Sequence, residues 1–258
     1  MALIENTLFG TIDKVAVAID RIRTFEPKEG YYVAFSGGKD SVVILDLVKR
    51  SGVKFDAHYN ITGIDPPELF YFIRDNFPEV HRHRPEMTIW KLIEKNGYPP
   101  LRMNRYCCAY LKERGGNGRR VITGIRWAES SRRKKRLEVE ECFKKNQHKT
   151  FVHPIIEWSD SEVWEYIKKT GIKYCHLYNE GYKRLGCIGC PMNTKIKRDF
   201  IRWPRYQEKY IHAIQKGIDS HPHLIVDGRE TAEKLFNWWV AVAAGRKKTD
   251  ADQTIMFE

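Results

Sequence analysis

The stretch Tyr31-Tyr32-Val33-Ala34-Phe35-Ser36-Gly37-Gly38-Lys39-Asp40-Ser41 decides the fold. Tyr31 to Phe35 reads as a strand, two glycines interrupt it, and Val42 to Val48 follows as a run too apolar for a surface element, ending near Gly52. Strand, glycine turn and buried helix, in that order, open an α/β unit. At such a junction the unpaired N–H groups and the positive end of the helix dipole can receive an anion, phosphate above all. Gly37 and Gly38 let the backbone curl close to a ligand, Ser36 and Ser41 add hydroxyls, and Lys39 adds charge. Asp40 can accept from the loop or hold Mg²⁺. The common P-loop needs four residues between its first glycine and the Gly-Lys pair, so this is a different phosphate loop. A tight turn with a good N-cap is the bland alternative; strand, loop chemistry and helix together favour the anion site.

Working outward, Ile12, Val15, Ala16, Ile19 and Ile22 recur at helical spacing before the breaker Pro27. Downstream, strands are expected at 53–61, 80–83 and 121–125, and helices at 67–76, 87–95 and 161–169. This alternation predicts an open, mostly parallel sheet with helices on both faces. Beyond Cys190 the strand signals fade, and 195–245 is helical in pattern. Its aromatics Phe200, Trp203, Tyr206, Tyr210, Phe236, Trp238 and Trp239 read as core rather than as a nucleic-acid face. The expected organisation is a nucleotide-binding domain with a cysteine site over 1–194, and a helical extension over 195–258 packed on it.

The 258 residues are 42% hydrophobic and 30% charged, ordinary proportions that exclude a largely disordered chain. A formal net charge of +12 favours polyanionic partners such as nucleotides or nucleic acid. The opening MALIENTLFGTIDKVAV has no basic start and no unbroken apolar stretch, and no run is long enough to span a bilayer. A cytoplasmic protein without a membrane partner is therefore expected, its six cysteines kept reduced and free for metal or redox chemistry.

Cys107 and Cys108 are adjacent, and far downstream comes Cys187-Ile188-Gly189-Cys190-Pro191. A tetrahedral zinc usually takes cysteines two to four residues apart, whereas neighbouring side chains diverge and more naturally reach different irons of a larger cluster. The four sulfurs favour a 4Fe-4S cluster, with a zinc knuckle or plain core thiols as alternatives.

Ser36-Gly37-Gly38-Lys39-Asp40-Ser41 resembles the PP-loop of the adenine nucleotide α-hydrolase-like superfamily. The Cys-Cys pair with its distant Gly-Cys-x-x-Cys is similar to the cluster signature of the adenylyl-sulfate and phosphoadenylyl-sulfate (PAPS) reductase family. Gly124-Ile125-Arg126, with Glu129, Ser130 and Arg132, is similar to that family's phosphate- or sulfate-contacting segment, and Trp158 to Ile167 to the helix before its cluster motif. Asn179 to Cys187 resembles its Gly-Tyr-x-x-x-Gly-Cys approach, and the likeness spans about 30 to 192. The resemblance implies ATP, adenylyl sulfate or PAPS, with Mg²⁺, at Ser36, Gly37, Gly38, Lys39, Asp40 and Ser41. Further contacts are implied at Gly124, Arg126 and Arg132, catalytic roles at Lys39, Asp40 and Arg126, and a 4Fe-4S cluster on Cys107, Cys108, Cys187 and Cys190. Thr62-Gly63 retains part of an Asp-Thr-Gly pattern that touches adenosine.

Reductases of this family are expected to carry a catalytic cysteine in a C-terminal tail. No cysteine follows Cys190, and the tail DADQTIMFE cannot perform that step. Cys175, flanked by Lys173 and His176, is a better stand-in nucleophile than Cys142, with a structural role as its alternative. The favoured expectation is an ATP pyrophosphatase that adenylates a substrate for sulfur insertion, as in DNA phosphorothioation. A thiol-dependent adenylyl-sulfate or PAPS reductase is the second reading, and a non-catalytic Fe-S nucleotide-binding subunit the third. Expected partners are a sulfur or electron donor protein, either a cysteine desulfurase or a thioredoxin-like protein. Nucleic acid is a candidate through the basic run Arg132 to Arg136. A homodimer is left open.

Overall fold

A computed structural model describes residues 3–8, 10–142 and 148–245; the tail 250–258, to which the missing-cysteine expectation refers, lies outside the described residues. The chain opens with a hairpin of β1 (Ile4–Thr7) and β2 (Gly10–Asp13), then α1 (Lys14–Thr24), β3 (Tyr31–Ala34), α2 (Lys39–Ser51) and β4 (Phe55–Asn60). There follow α3 (Pro67–Asn76), β5 (His81–His83), α4 (Ile89–Asn96), α5 (Tyr106–Leu111), β6 (Arg120–Ile122), β7 (Val139–Glu141) and β8 (Thr150–Val152). Helices α6 (Asp160–Thr170), α7 (Ile196–Arg202), α8 (Pro204–Ser220) and α9 (Ala232–Ala243) complete the chain. No helix among the described residues is long and apolar enough to cross a membrane.

Two compact units divide these elements. The first takes Met1–Asn60, Pro67–His83 and Arg114–Leu185, the second Ile61–Pro66, Arg84–Glu113 and Gly186–Glu258. The helical segment expected over 195–258 is thus one of three stretches of the second unit.

The first unit holds a six-stranded sheet in the order β5-β4-β3-β6-β8-β7. All neighbours pair in parallel except β7, which runs antiparallel to β8. This is the mostly parallel α/β sheet the alternation predicts. Central β3 buries Tyr31, Tyr32 and Val33, and α2 buries Val42, Val43, Ile44, Leu45, Leu47 and Val48. The near-continuous apolar run of α2 is explained by its neighbours, since it packs on both α1 and α6. Asp13 starts α1 by accepting from Val15 N and Ala16 N at 2.8 and 3.2 Å. A capping box of Ser159 and Glu162 starts α6. The hairpin and the β7–β8 pair carry no strand signal in the sequence analysis; each strand is only three or four residues long.

The second unit is helical. Helix α8 packs on α4, α7 and α9. Phe200, Tyr210, Phe236 and Trp239 lie buried together, with Phe200–Phe236 and Tyr210–Trp239 centroids both 5.0 Å apart. The indole of Trp239 donates to Pro100 O at 2.7 Å, satisfying its one polar atom. These aromatics form core, as their spacing predicts.

Candidate functional site

Between β3 and α2 the chain turns through Ser36, Gly37 and Gly38. Ser41 ties the turn: its hydroxyl donates to Gly38 O at 2.9 Å and accepts from Ser36 N and Ser36 Oγ, each at 3.2 Å. Gly37 has φ +70°, and a Cβ there would lie 2.7 Å from Ile73 Cδ1 and 2.8 Å from Leu69 Cδ1 of α3. Gly37→Ala should therefore destabilise by about 1–3 kcal/mol and distort the loop, read as a lowered urea midpoint together with weakened nucleotide binding. Gly38 N-caps α2 without a side-chain acceptor. The Tyr178 hydroxyl instead accepts from Lys39 N at 2.9 Å, taking one of the N–H groups of the helix start. Sequence reasoning missed Tyr178, since a tyrosine in a loop carries no signal of its own. Gly124 is required for close approach, because a Cβ there would stand 3.0 Å from both the Asp40 backbone and its Cβ.

Four charged groups interlock behind this loop. Arg126, 1% exposed, sets each of its three guanidinium nitrogens on an acceptor: Asp40 Oδ1 at 2.7 Å, Trp158 O at 3.0 Å and Asp160 Oδ1 at 2.6 Å. The buried Lys39 sends its ammonium between the same two carboxylates, 3.2 Å from Asp40 and 3.1 Å from Asp160. Burial opposes charge on Arg126, but the two aspartates outweigh it and raise its pKa. Burial likewise works to raise Asp160, and the Arg126 and Lys39 cations overcome it and leave its pKa lowered. Of the residues expected here, Ser36, Gly37, Gly38, Lys39, Asp40, Ser41, Gly124 and Arg126 are brought together. Arg126 acts as a strut whose donors are committed. Arg132 lies exposed at the start of the turn 133–135. Asp160 is the residue the sequence hid: an aspartate opening a helix reads as favourable to the dipole and nothing more.

The cysteines expected as cluster ligands all belong to the second unit, and none is in a disulfide. Cys107 and Cys108 share a hydrogen bond that, with burial, pushes Cys107 up and, against the opposing effect of burial, brings Cys108 down. Cys187 and Cys190 also act electrostatically on Cys107. Burial raises Cys187 to about 11, opposed by the ammonium of Lys112. Among the described residues no group of three or more His, Cys, Asp or Glu side chains is arranged to hold a single metal ion. Cys107 lies within electrostatic reach of the other three thiols, a set that could serve a multi-iron cluster, whose ligands go to different irons. Thr62 and Gly63 belong to this unit too. The buried Thr62 hydroxyl accepts from Ile64 N at 3.2 Å and from the Cys187 thiol at 3.7 Å, and Thr62 N donates to Asp65 Oδ2 at 2.9 Å. Gly63 is exposed in the left-handed region at φ +75°.

Cys175 is fully buried, and burial raises its pKa, the opposite of what a nucleophile needs. Cys175→Ala is expected to leave turnover within about twofold and to lower stability by roughly 1 kcal/mol, measured by steady-state rate and urea midpoint. In the basic run, Arg133 pairs with Glu129 and Arg136 with Glu140, so the exposed cations Arg132, Lys134 and Lys135 are those left facing solvent without these partners.

The phosphoadenosine phosphosulfate reductase domain matches residues 30–193. An uncharacterized protein of Methanocaldococcus jannaschii is 32% identical over 219 residues, covering 75% of this chain and 43% of that protein. An adenosine 5'-phosphosulfate reductase of Oceanobacillus iheyensis is 28% identical over 179 residues, covering 64% of this chain and 73% of that enzyme. The chain spans about half the length of the first curated relatives it matches, 43% and 51%. Among solved structures, the phosphoadenylyl-sulfate reductase of Candida auris in its phosphate complex superposes with TM-score 0.50 at 19% identity, over 66% of this chain and 87% of that one, a likeness of fold. The domain match starts at the edge of β3 and runs past Cys190, taking in the glycine loop, Arg126 and all four paired cysteines, and the chain belongs to the phosphoadenosine phosphosulfate reductase domain family.

Proposed function

We propose that this chain is an ATP pyrophosphatase of sulfur transfer: it binds ATP at Ser36–Ser41 and transfers the adenylyl group to an acceptor into which sulfur is then inserted. The observation that carries the reading is the buried Lys39 at the start of α2, its ammonium poised between Asp40 and Asp160 at the end of a parallel strand. Open α/β sheets bind ligands at the carboxyl ends of their strands, where helix N-termini point. In the step proposed, an acceptor oxygen bonds to the α-phosphorus as the bridge to the β-phosphate breaks, and pyrophosphate leaves with the electron pair. The Lys39 ammonium offsets the charge building on that leaving group. Asp40 and Asp160 are the carboxylates that would hold Mg²⁺, which commonly takes one or two protein carboxylates and completes its shell with phosphates and water.

Cys107, Cys108, Cys187 and Cys190 would hold a 4Fe-4S cluster, which supplies a redox-capable or charge-positioning centre. A cysteine desulfurase fits as the sulfur donor. The acceptor class offered by the exposed Arg132, Lys134 and Lys135 is nucleic acid, as in DNA phosphorothioation.

A second reading, reduction of adenylyl sulfate or PAPS to sulfite with a thioredoxin-like donor, is favoured by the similarity to the adenosine 5'-phosphosulfate reductase of Oceanobacillus iheyensis. Against it, Cys175, the candidate stand-in nucleophile, is sealed in the core. Anaerobically purified protein, incubated with Mg-ATP and candidate nucleic acids and in parallel with adenylyl sulfate or PAPS plus a dithiol, separates the two. Pyrophosphate release supports the first reading. Sulfite release without pyrophosphate overturns it in favour of the second, and neither product with any acceptor defeats both.

A further inference from the structure

The loop Cys187-Ile188-Gly189-Cys190 is held at several of the backbone groups between its sulfurs. Ile188 N donates to Ile64 O at 2.7 Å, and Ile188 O accepts from the buried Tyr210 hydroxyl at 3.0 Å. Gly189 sits at φ +72° with no room for a side chain: a Cβ would meet Tyr210 Cε2 at 2.8 Å and Phe200 Cζ at 3.0 Å. Its N–H points to Asp199 Oδ2 at 3.4 Å, and the same oxygen accepts from Asn193 Nδ2 at 2.9 Å. Asn193 extends the brace, since its N donates to Cys190 O at 2.9 Å and its Oδ1 accepts from Lys195 N at 2.9 Å. Asp199 is 4% exposed, and both of its named partners lie on the cysteine loop or directly after it. A buried carboxylate is expensive unless it does something for its donors, and these two donors shape the loop.

We propose that Asp199 is the positioning residue of the Cys187–Cys190 pair. From α7 its carboxylate gathers Gly189 and Asn193, closing the chain into the one turn that presents both sulfurs together, while Phe200 and Tyr210 wall off the loop behind it. The spacing Cys-x-x-Cys alone leaves the sulfurs free to splay, and the brace removes that freedom before any metal arrives. The role of the pair as cluster ligands rests on the reading above; the brace itself does not.

The test measures alkylation of each cysteine by iodoacetamide in the full, metal-free chain, resolved by mass spectrometry. Cys107, buried in the same unit as the loop, reports unfolding of that unit, and Cys175 reports unfolding of the other. In Asp199→Ala, Cys187 and Cys190 should react about tenfold faster than in the parent while Cys107 and Cys175 stay protected, the scale set by losing a charge-assisted hydrogen bond. Asp199→Asn, which still accepts from Gly189, should fall between. Iron taken up on anaerobic reconstitution should drop in the same order. Unchanged rates at Cys187 and Cys190, or a parallel rise at Cys107 or Cys175, would overturn the proposal. Should the parent take up no iron while Asp199→Ala still exposes the pair selectively, the cluster reading fails and the positioning role stands.

Discussion

Replacing Arg126 by alanine is expected to cost about 3 kcal/mol of folding free energy and to abolish nucleotide binding. The guanidinium is 1% exposed and serves three acceptors at 2.6 to 3.0 Å. Its loss strips the Trp158 carbonyl of its donor and leaves Lys39 as the sole named cation against two carboxylates. The guanidinium is the buried member of this network, and removing it leaves the Trp158 carbonyl without that donor and the partly exposed Asp40 and Asp160 facing each other, a costlier change than exchanging a whole pair for apolar groups. Against a total stability of about 5–15 kcal/mol, the variant should fold, but with a clearly lowered urea midpoint. Arg126→Lys supplies one point charge where a planar fork is needed, and should recover only part of the stability and little of the binding. An alanine variant with the parent's midpoint and nucleotide affinity would show that the strut is ornamental.

The same network sets an acid dependence. Asp160 titrates lower in the folded protein than its ordinary value of 3.8, because Arg126 and Lys39 outweigh the opposing effect of burial. A depressed carboxyl contributes stability that is complete above the unfolded value and drains away as pH falls through the folded one. The contribution should therefore hold at neutral pH and begin to drain only as pH falls below the ordinary value of 3.8, and since the Asp160 side chain is 63% exposed it stays under about 1 kcal/mol.

What the sequence reveals follows from how local each signal is. The β3 strand, the glycine loop and α2 are legible because the apolar run, the two glycines and the lysine lie in one continuous stretch. The helix at 67–76 is legible from Pro67 to Asn76, bounded by a proline and by the short polar-flanked turn that follows. The β7–β8 pair is not, because three-residue strands at a sheet edge need neither alternation nor apolar length, and β7 carries Glu140 and Glu141. Arg126 stands out only beside Gly124, and its burial could not be foreseen, since its acceptors come from α2 and from the start of α6. Asp160 and Tyr178 are invisible for the same reason: each joins the loop across more than a hundred residues of chain. Thr62 follows a strand and so resembles a ligand contact, yet its hydroxyl is committed to Ile64 and Cys187.

Lys39→Met should lower pyrophosphate release by about 10²- to 10³-fold while leaving the protein folded, the scale seen when one donor to a developing charge is removed. The contrast with Arg126 lies in mobility and commitment. Arg126 is pinned by three bonds in different directions, whereas the Lys39 ammonium rests between Asp40 and Asp160 at the end of a four-carbon stem that can redirect it to a phosphate. Methionine keeps the stem's apolar packing in its buried seat and deletes only the charge; Arg126 still bonds both carboxylates, and both reach solvent, so the urea midpoint should move by less than about 1 kcal/mol. Iron content should not change either, since the four paired cysteines belong to the other unit. Should Lys39→Met release pyrophosphate at the parent's rate, the charge on the departing group is being met elsewhere and Lys39 is a structural cation. Should it unfold, Lys39 and Arg126 are interchangeable struts, and the division of labour between them fails.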